Sequence, residues 1–322
     1  MLKDKKILIL ILVISLALGM VSFSMAAEKQ FVAIATGGTG GTYYPLGGAL
    51  AQMISDKVEG LIVTAQSGNA SRANCNLIDR GQIETAFSQA NVTYWSYTAT
   101  GIYKNEHPIT NLRGIASLYP ETEQVFVNKD SGIKTWEDLR GKKIGVGAPN
   151  SGNVCDAEII FAAHGLTFDD FIPEYIDYNE MAQRFVDGQI DACFFTTGYP
   201  SSSIIDMESK KSIRFLPLDS KVIKELVEKY PYYSATTIPT GIYKSVDEPV
   251  PTVATPALWI CDAKLSPALV YKMTKALWEH RDILEKVHYQ GRNITLETAL
   301  DGMAVPLHPG AELYYKEVGL IK

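Results

Sequence analysis

Residues 80–91 read Arg-Gly-Gln-Ile-Glu-Thr-Ala-Phe-Ser-Gln-Ala-Asn, and residues 187–198 read Asp-Gly-Gln-Ile-Asp-Ala-Cys-Phe-Phe-Thr-Thr-Gly. Each copy follows a helix-like stretch. In each, a Gly stops the helix, an acid follows, and a short apolar strand runs into polar residues. About 45 residues upstream of each Gly, a strand enters a Gly/Ser/Thr/Asn loop and then a helix. Those loops are Thr36–Tyr44 and Ala148–Asn153. One architecture used twice, with polar loops at its strand ends, implies two lobes with a cleft between them for a small molecule.

Working outward, Phe31–Thr36 reads as a strand, Tyr44–Val58 as a helix with Pro45 in its first turn, and Leu61–Gln66 as a second strand. A helix then runs to Arg80, and Thr85–Gln89 is a third strand. Such a βαβαβ run marks a parallel sheet covered by helices. Leu112–Asn128 is extended chain leaving the first lobe, and Thr135–Asp138 resembles a capping box before a short helix. The pattern restarts at Lys143–Gly147, with a helix Val154–Ala163, a strand Tyr175–Asp177, a helix Glu180–Val186 and a strand Ala192–Thr196. Past Arg214, prolines punctuate extended segments. Apolar Val253–Cys261 is expected to return to the first lobe's sheet. A long helix is expected from Ser266-Pro267 to about His288, and a final helix after the turn at 306–310. The expected division is residues 1–26 as a signal peptide, 27–122 with 215–322 as lobe 1, and 123–214 as lobe 2. Thr-Gly-Ile-Tyr-Lys occurs at both 100–104 and 240–244, in contexts with nothing else in common.

Lys3, Lys5 and Lys6 precede the apolar run Ile7–Phe23, and Ser24-Met25-Ala26 supplies small residues for cleavage after Ala26. The competing reading is an uncleaved anchor. No Cys lies near the cleavage site to carry a lipid. Cleavage removes three lysines and Asp4, a net +2, so the formal charge goes from −6 to −8. An acidic chain without a basic run excludes nucleic acid as a partner. Cys75, Cys155, Cys193 and Cys261 form no CxxC pair and read as small buried hydrophobes, the alternative being a disulfide, which export would permit, within a lobe rather than across the two.

Open parallel sheets hold ligands beyond the carboxyl ends of their strands. Residues expected there are Thr36, Gly37, Gly38, Thr39, Tyr43 and Tyr44 from the first loop, and Ser67, Asn69 and Ser71 from the second. Gln89 and Asn91 follow the third strand, Asn150, Ser151, Gly152 and Asn153 the fourth, and Thr197 the last. Helix N-termini at these loops offer unpaired amides and partial positive charge, so a small carboxylate could be held without an Arg. The competing structural reading is that the glycines only reverse the chain and that Ser or Asn only caps the next helix. Arg72 is a candidate carboxylate partner, with a solvated surface role as the alternative. Glu84 and Asp191 read as turn residues. The Gly-rich loop lacks the last Gly of GxGxxG and the Lys of a P-loop, Ser151 is outside any GxSxG, and the five histidines are scattered. No metal, cofactor or catalytic residue is expected.

At these residues the chain resembles the TAXI-type solute receptors of TRAP (tripartite ATP-independent periplasmic) transporters. The pieces that match are ATGGTGGTYYPLGGALA at 35–51, Asn74 within SRANCNLIDRGQIE, Gln89 in FSQANV, SGIKTWEDLRGKKIGVGAPNSGN at 131–153, YPYYSATTIPTGIY at 230–243, PALWI at 256–260 and ALDGMAVPLHPGAELYYKEVG at 299–319. The resemblance implies an α/β type II periplasmic-binding-protein fold, each lobe a mainly parallel sheet flanked by helices. It implies periplasmic capture of a small organic acid or amino acid (glutamate, glutamine, dicarboxylates or oxo-acids) and delivery to an ion-gradient-driven TRAP permease. It places the site on Gly37, Gly38, Tyr43, Tyr44, Ser67, Gln89, Ser151 and Gly152. Asn91 stands where the family usually has Asp, and Arg72 and Cys75 where it usually has apolar residues. The Asn favours a carboxylate without an amine. The rivals are a receptor for an ABC importer, a secreted hydrolase using Ser151, and a surface antigen.

Overall fold

The computed structural model describes residues 29–322; the expected signal segment lies outside them. Three strands and two helices of the first repeat alternate as expected: β1 (Gln30–Ala35), α1 (Tyr43–Lys57), β2 (Leu61–Gln66), α2 (Ser71–Asp79) and β3 (Thr85–Gln89). Helix α3 (Ala90–Thr98) follows directly and was not expected from the sequence. Its apolar side carries Ala90, Val92 and Trp95, but Asn91, Thr93 and Ser96 are buried with them, which hides the usual two-faced pattern. The long strand β4 (Leu112–Asn128) leads to the second repeat: β5 (Lys143–Gly145), α4 (Gly152–Ala163), β6 (Ile172–Glu174), α5 (Tyr178–Val186), β7 (Ala192–Thr197) and α6 (Ser202–Lys210). Then come β8 (Ile213–Phe215), α7 (Ser220–Lys229), β9 (Ser234–Ile238), β10 (Val250–Asp262), α8 (Pro267–Glu279), α9 (Asp282–Val287) and α10 (Pro309–Glu317).

Two expectations are corrected. The strand is Ile172–Glu174, not Tyr175–Asp177: Asp177 is the N-cap of α5 and accepts the amides of Asn179 and Glu180. The helix from Ser266 stops at Glu279 and restarts at Asp282, so His288 ends a second, separate helix.

All ten strands join one mixed sheet in the order β2-β1-β3-β10-β4-β7-β5-β6, with β8 on β4 and β9 on β10. At one end β1 and β3 run parallel, and at the other β5 runs parallel to β6 and β7. Between these blocks lies the antiparallel pair β4 and β10. The two halves of the molecule are thus linked by long strands of 17 and 13 residues that belong to both. Side chains alternate between the faces of the sheet. Ile34, Phe87 and Trp259 pack with α1, α8 and α10, while Ala35, Ala86 and Ile260 pack with α2 and α3. The second half repeats this: Val125, Val127 and Phe194 on one face, Phe126, Cys193 and Phe195 on the other.

The repeat has a physical basis. Glu84 accepts the Ala33 amide at 2.8 Å, and Asp191 accepts the Lys143 amide at 2.8 Å, so each acid ties its strand to a parallel neighbour. Asn74 Nδ2 donates to the carbonyls of Thr36 (3.0 Å) and Phe87 (2.8 Å), and Asn153 Nδ2 to those of Val146 (2.6 Å) and Phe194 (2.9 Å). Each Asn clamps the carboxyl ends of two adjacent strands. The recurring pentapeptide also has a structural counterpart. Gly101 and Gly241 both have left-handed φ, and Tyr103 and Tyr243 are both fully buried. Their hydroxyls bond Asn76 and Gln124 respectively. All four cysteines are buried and unpaired.

Candidate functional site

The carboxyl ends of both parallel blocks face a cavity of about 60 Å³. From the first half come Gly37, Gly38, Gly41, Thr42 and Tyr43, then Gly68 to Ser71, and Gln89. From the second come Ala148, Ser151, Gly152, Asn153, Asp177, Tyr178, Thr196 and Thr197. Glu121 enters from the shared strand β4.

The halves are drawn tightly together here. Thr42 Oγ1 donates to the Gly198 carbonyl at 2.9 Å and lies 3.1 Å from Thr197 Oγ1. The hydroxyls of Ser201, Ser202 and Ser203 converge on the Gly40 carbonyl at 3.1–3.3 Å. The Ala73 amide donates to the Asn150 carbonyl at 3.1 Å. Two glycines permit this approach. A Cβ on Gly152 would lie 1.3 Å from Gln89 Oε1, and one on Gly40 would lie 2.2 Å from Ser203 Oγ. A side chain at Gly152 would have to displace Gln89, and one at Gly40 would have to displace Ser203 and Asn179.

Helices α1, α2 and α4 point their N-termini at the cavity, two from one half and one from the other. Among the described residues, the amides of Ser71, Gly152 and Asn153 have no protein partner. Ala70, the N-cap of α2, is held at φ 61, a left-handed conformation that costs a non-glycine residue of order 1 kcal/mol. Ser151 caps α4 by accepting the Val154 amide. Three helix ends with partial positive charge and the Ser71 and Ser151 hydroxyls lie along one wall of the cavity.

The opposite feature is Glu121. It is 4% exposed, and its Oε1 accepts the Tyr43 hydroxyl at 2.5 Å. Burial pushes its carboxyl well above the usual range, the Tyr43 hydrogen bond pulls it back in part, and the Asp156 charge raises it further. Oε2 has no protein partner among the described residues. One wall therefore favours negative charge, and one buried carboxyl awaits a positive partner. Asp177, exposed at the rim, adds a second carboxylate.

Of the residues expected from sequence, Gly37, Gly38, Tyr43, Asn69, Ser71, Gln89, Ser151, Gly152, Asn153 and Thr197 line this cavity. Six do not. Thr36 is buried and donates to the Gln66 carbonyl. Thr39 accepts from Asn179 at 2.9 Å across the mouth. Tyr44 and Ser67 are exposed. Asn91 lies below the cavity, donating to Asp156 at 2.6 Å. Asn150 holds a positive-φ turn at 64°. Arg72 pairs with Glu106 and sits 5.3 Å over the Tyr103 ring, away from the cavity. The residues sequence reasoning missed are Glu121, Asp177 and Tyr178. Glu121 had a signal: two acids, Glu121 and Glu123, fall within a strand buried along most of its length. Among the described residues, no histidine or lysine lines the cavity. No group of three His, Cys, Asp or Glu able to hold a metal occurs among the described residues.

A model of the NMT1-like family matches residues 34–319. The chain belongs to the NMT1-like family. The match covers both halves of this NMT1-like chain and its whole cavity. In fold it is similar to a protein from Bordetella bronchiseptica RB50 (19% identity, TM-score 0.56, covering 89% of this chain and 83% of that one). It is also similar to the alkanesulfonate-binding protein SsuA from Xanthomonas axonopodis pv. citri, bound to MOPS (16% identity, TM-score 0.51, 90% and 85%). A third is the ligand-binding component of an ABC-type import system from Staphylococcus aureus, with zinc bound (12% identity, TM-score 0.52, 91% and 93%). The NMT1-like chain thus has the α/β fold of periplasmic solute-binding proteins. The TAXI subtype expected from its motifs is a finer assignment than these matches carry.

Proposed function

We propose that this protein is an extracytoplasmic receptor that closes its two halves around a small zwitterionic acid and hands it to a membrane importer. The observation behind this reading is the pairing of three helix N-termini with one buried carboxyl, Glu121, in a cavity lined from both halves. A ligand carboxylate fits the helix ends, and a protonated amine fits Glu121. This revises the expectation of an amine-free carboxylate, which rested on Asn91. That residue lies outside the cavity, whereas Glu121 lines it.

Of the two importer classes, an ABC permease has more behind it. Structures sharing the fold include a component named for an ABC-type import system and a named alkanesulfonate-binding protein. A TRAP permease has the motif resemblance alone. An adjacent gene for an ATPase favours the first; one for a many-helix permease favours the second.

The test is calorimetry and thermal shift against C4–C6 carboxylates, each with and without an α-amine. Saturable heat and a raised Tm are expected for the amine-bearing set only. If no small acid binds the folded protein, the receptor reading is wrong; if the amine-free acids bind as well, Glu121 is not an amine anchor.

A further inference from the structure

Beneath the cavity, three buried carboxyl groups meet where the halves join. Glu121 and Glu123 belong to β4, and Asp156 to α4; they are 4%, 1% and 0% exposed. Glu123 Oε2 accepts the Thr196 hydroxyl at 2.7 Å, and its Oε1 is buried without a partner among the described residues. Asp156 collects donors from three parts of the chain: Gln89 Nε2 at 2.5 Å and Asn91 Nδ2 at 2.6 Å from the first half, and the Tyr233 hydroxyl at 2.5 Å from the segment before β9. The Gln89 and Asn91 bonds exist only while the halves touch. The ionisable groups around the cluster are Tyr43 of α1, Tyr119 of β4, Tyr178 of α5, Tyr232, Tyr233, and Cys155 of α4. None is cationic. Among the described residues, the cation that acts on this surround, through Cys155, is Arg72, which is paired with Glu106.

We propose that closure of the two halves is coupled to proton uptake by the Glu121–Glu123–Asp156 cluster. Three carboxylates cannot all stay ionised in one dry space without a cation, because desolvation and mutual repulsion both oppose it. Parting the halves wets Asp156, and the relief of desolvation outweighs the loss of the Gln89 and Asn91 donors, which favour its ionised form. The open form then holds its carboxylates ionised at lower pH than the closed form does. Burial pushes Asp156 up to about 6 in the closed form; the protons belong to the cluster as a whole. Between about pH 4 and pH 6 the closed form therefore binds more protons, and lowering the pH favours closure by up to about tenfold per pH unit for each proton taken up. Glu121 links this to the ligand: an amine on that carboxyl supplies the positive charge that a proton otherwise provides.

This inference rests on the receptor reading, since it needs halves that part. Small-angle X-ray scattering of the solute-free protein from pH 4.5 to 8 tests both. A radius of gyration that falls as the pH is lowered is expected. Asp156→Asn, and independently Glu123→Gln in case the first fails to fold, should reduce or abolish that dependence. Opening that is independent of pH, or variants that keep the wild-type profile, overturns proton coupling and leaves the hinged receptor intact. Scattering that fits the closed form at every pH, with or without amino acids, overturns the hinge and the coupling together.

Discussion

At the scale of single residues, the proposed reading makes Glu121 the anchor of a ligand amine, and a substitution there tests it. Glu121→Gln keeps the shape and the Tyr43 contact but loses the negative charge. A charge-assisted hydrogen bond contributes about 1.5–3 kcal/mol, so affinity for an amine-bearing acid should fall by about 10- to 150-fold in calorimetry. Folding stability near neutral pH should hold or rise, because a buried, uncompensated carboxyl disappears. Gly152 makes the opposite kind of demand. A methyl there strikes Gln89 Oε1, so Gly152→Ala must displace Gln89 from Asp156. Overpacking of this sort costs about 1–3 kcal/mol. The loss should fall on the closed form, giving weaker ligand binding with a smaller change in unfolding midpoint. These two residues also show what sequence alone could say. Gly152 stood in a loop at a strand end, where glycine is informative. Glu121 stood mid-strand, and only the pairing of β4 with β10 brings it under the loops.

At the scale of elements, the two Asn clamps are matched in place but not in strength. Asn153 also accepts the Thr196 amide and lies 2.7 Å from the Tyr178 hydroxyl, whereas Asn74 Oδ1 is buried without a partner among the described residues. Replacing Asn153 with Ala leaves several buried groups unsatisfied, at about 1–3 kcal/mol each. Asn153→Ala should therefore destabilise more than Asn74→Ala in urea unfolding, by about 1 kcal/mol or more. Equal losses would refute the asymmetry. Strands with a Gly stop before them and an acid at their start were legible, since period, stop and cap all agreed. Helix α3 was not, because its buried side includes Asn91, Thr93 and Ser96. The break between α8 and α9 was also hidden: apolar spacing continues through Leu284, which packs into the same core.

For the molecule as a whole, the buried acids make stability depend on pH in an unusual direction. Asp156 has its carboxyl raised from 3.8 to about 6. The folded protein then binds that proton more tightly than the unfolded chain, so this residue's contribution is greatest below about pH 4 and is lost as pH rises through about 6. The shift of about two pKa units corresponds to ~3 kcal/mol at most. Exposed carboxylates lowered by hydrogen bonds, such as Asp138 and Asp170, act in the opposite sense. The clean readout is therefore the difference between wild type and Asp156→Asn, which should drift in the variant's favour from pH 4 to pH 7. A constant difference would show that the carboxyl is not desolvated in solution. The repeated order of strands and helices was legible because it is written twice. The acid cluster was not, since its members come from residues 121, 123 and 156 and meet only through tertiary packing.

The position of β10 has a consequence for how the chain is made. It lies between β3 and β4, so the amino-terminal sheet has a gap at its centre until residue 262 has been synthesised. The second repeat waits for the same strand, since Val253 of β10 enters its core and β9 pairs with β10. Neither half should therefore settle until late in synthesis, and the first-made strands wait longest with their edges uncovered. A product ending near residue 248 would carry that exposed edge permanently, and would be expected to aggregate or be degraded rather than persist as a smaller receptor.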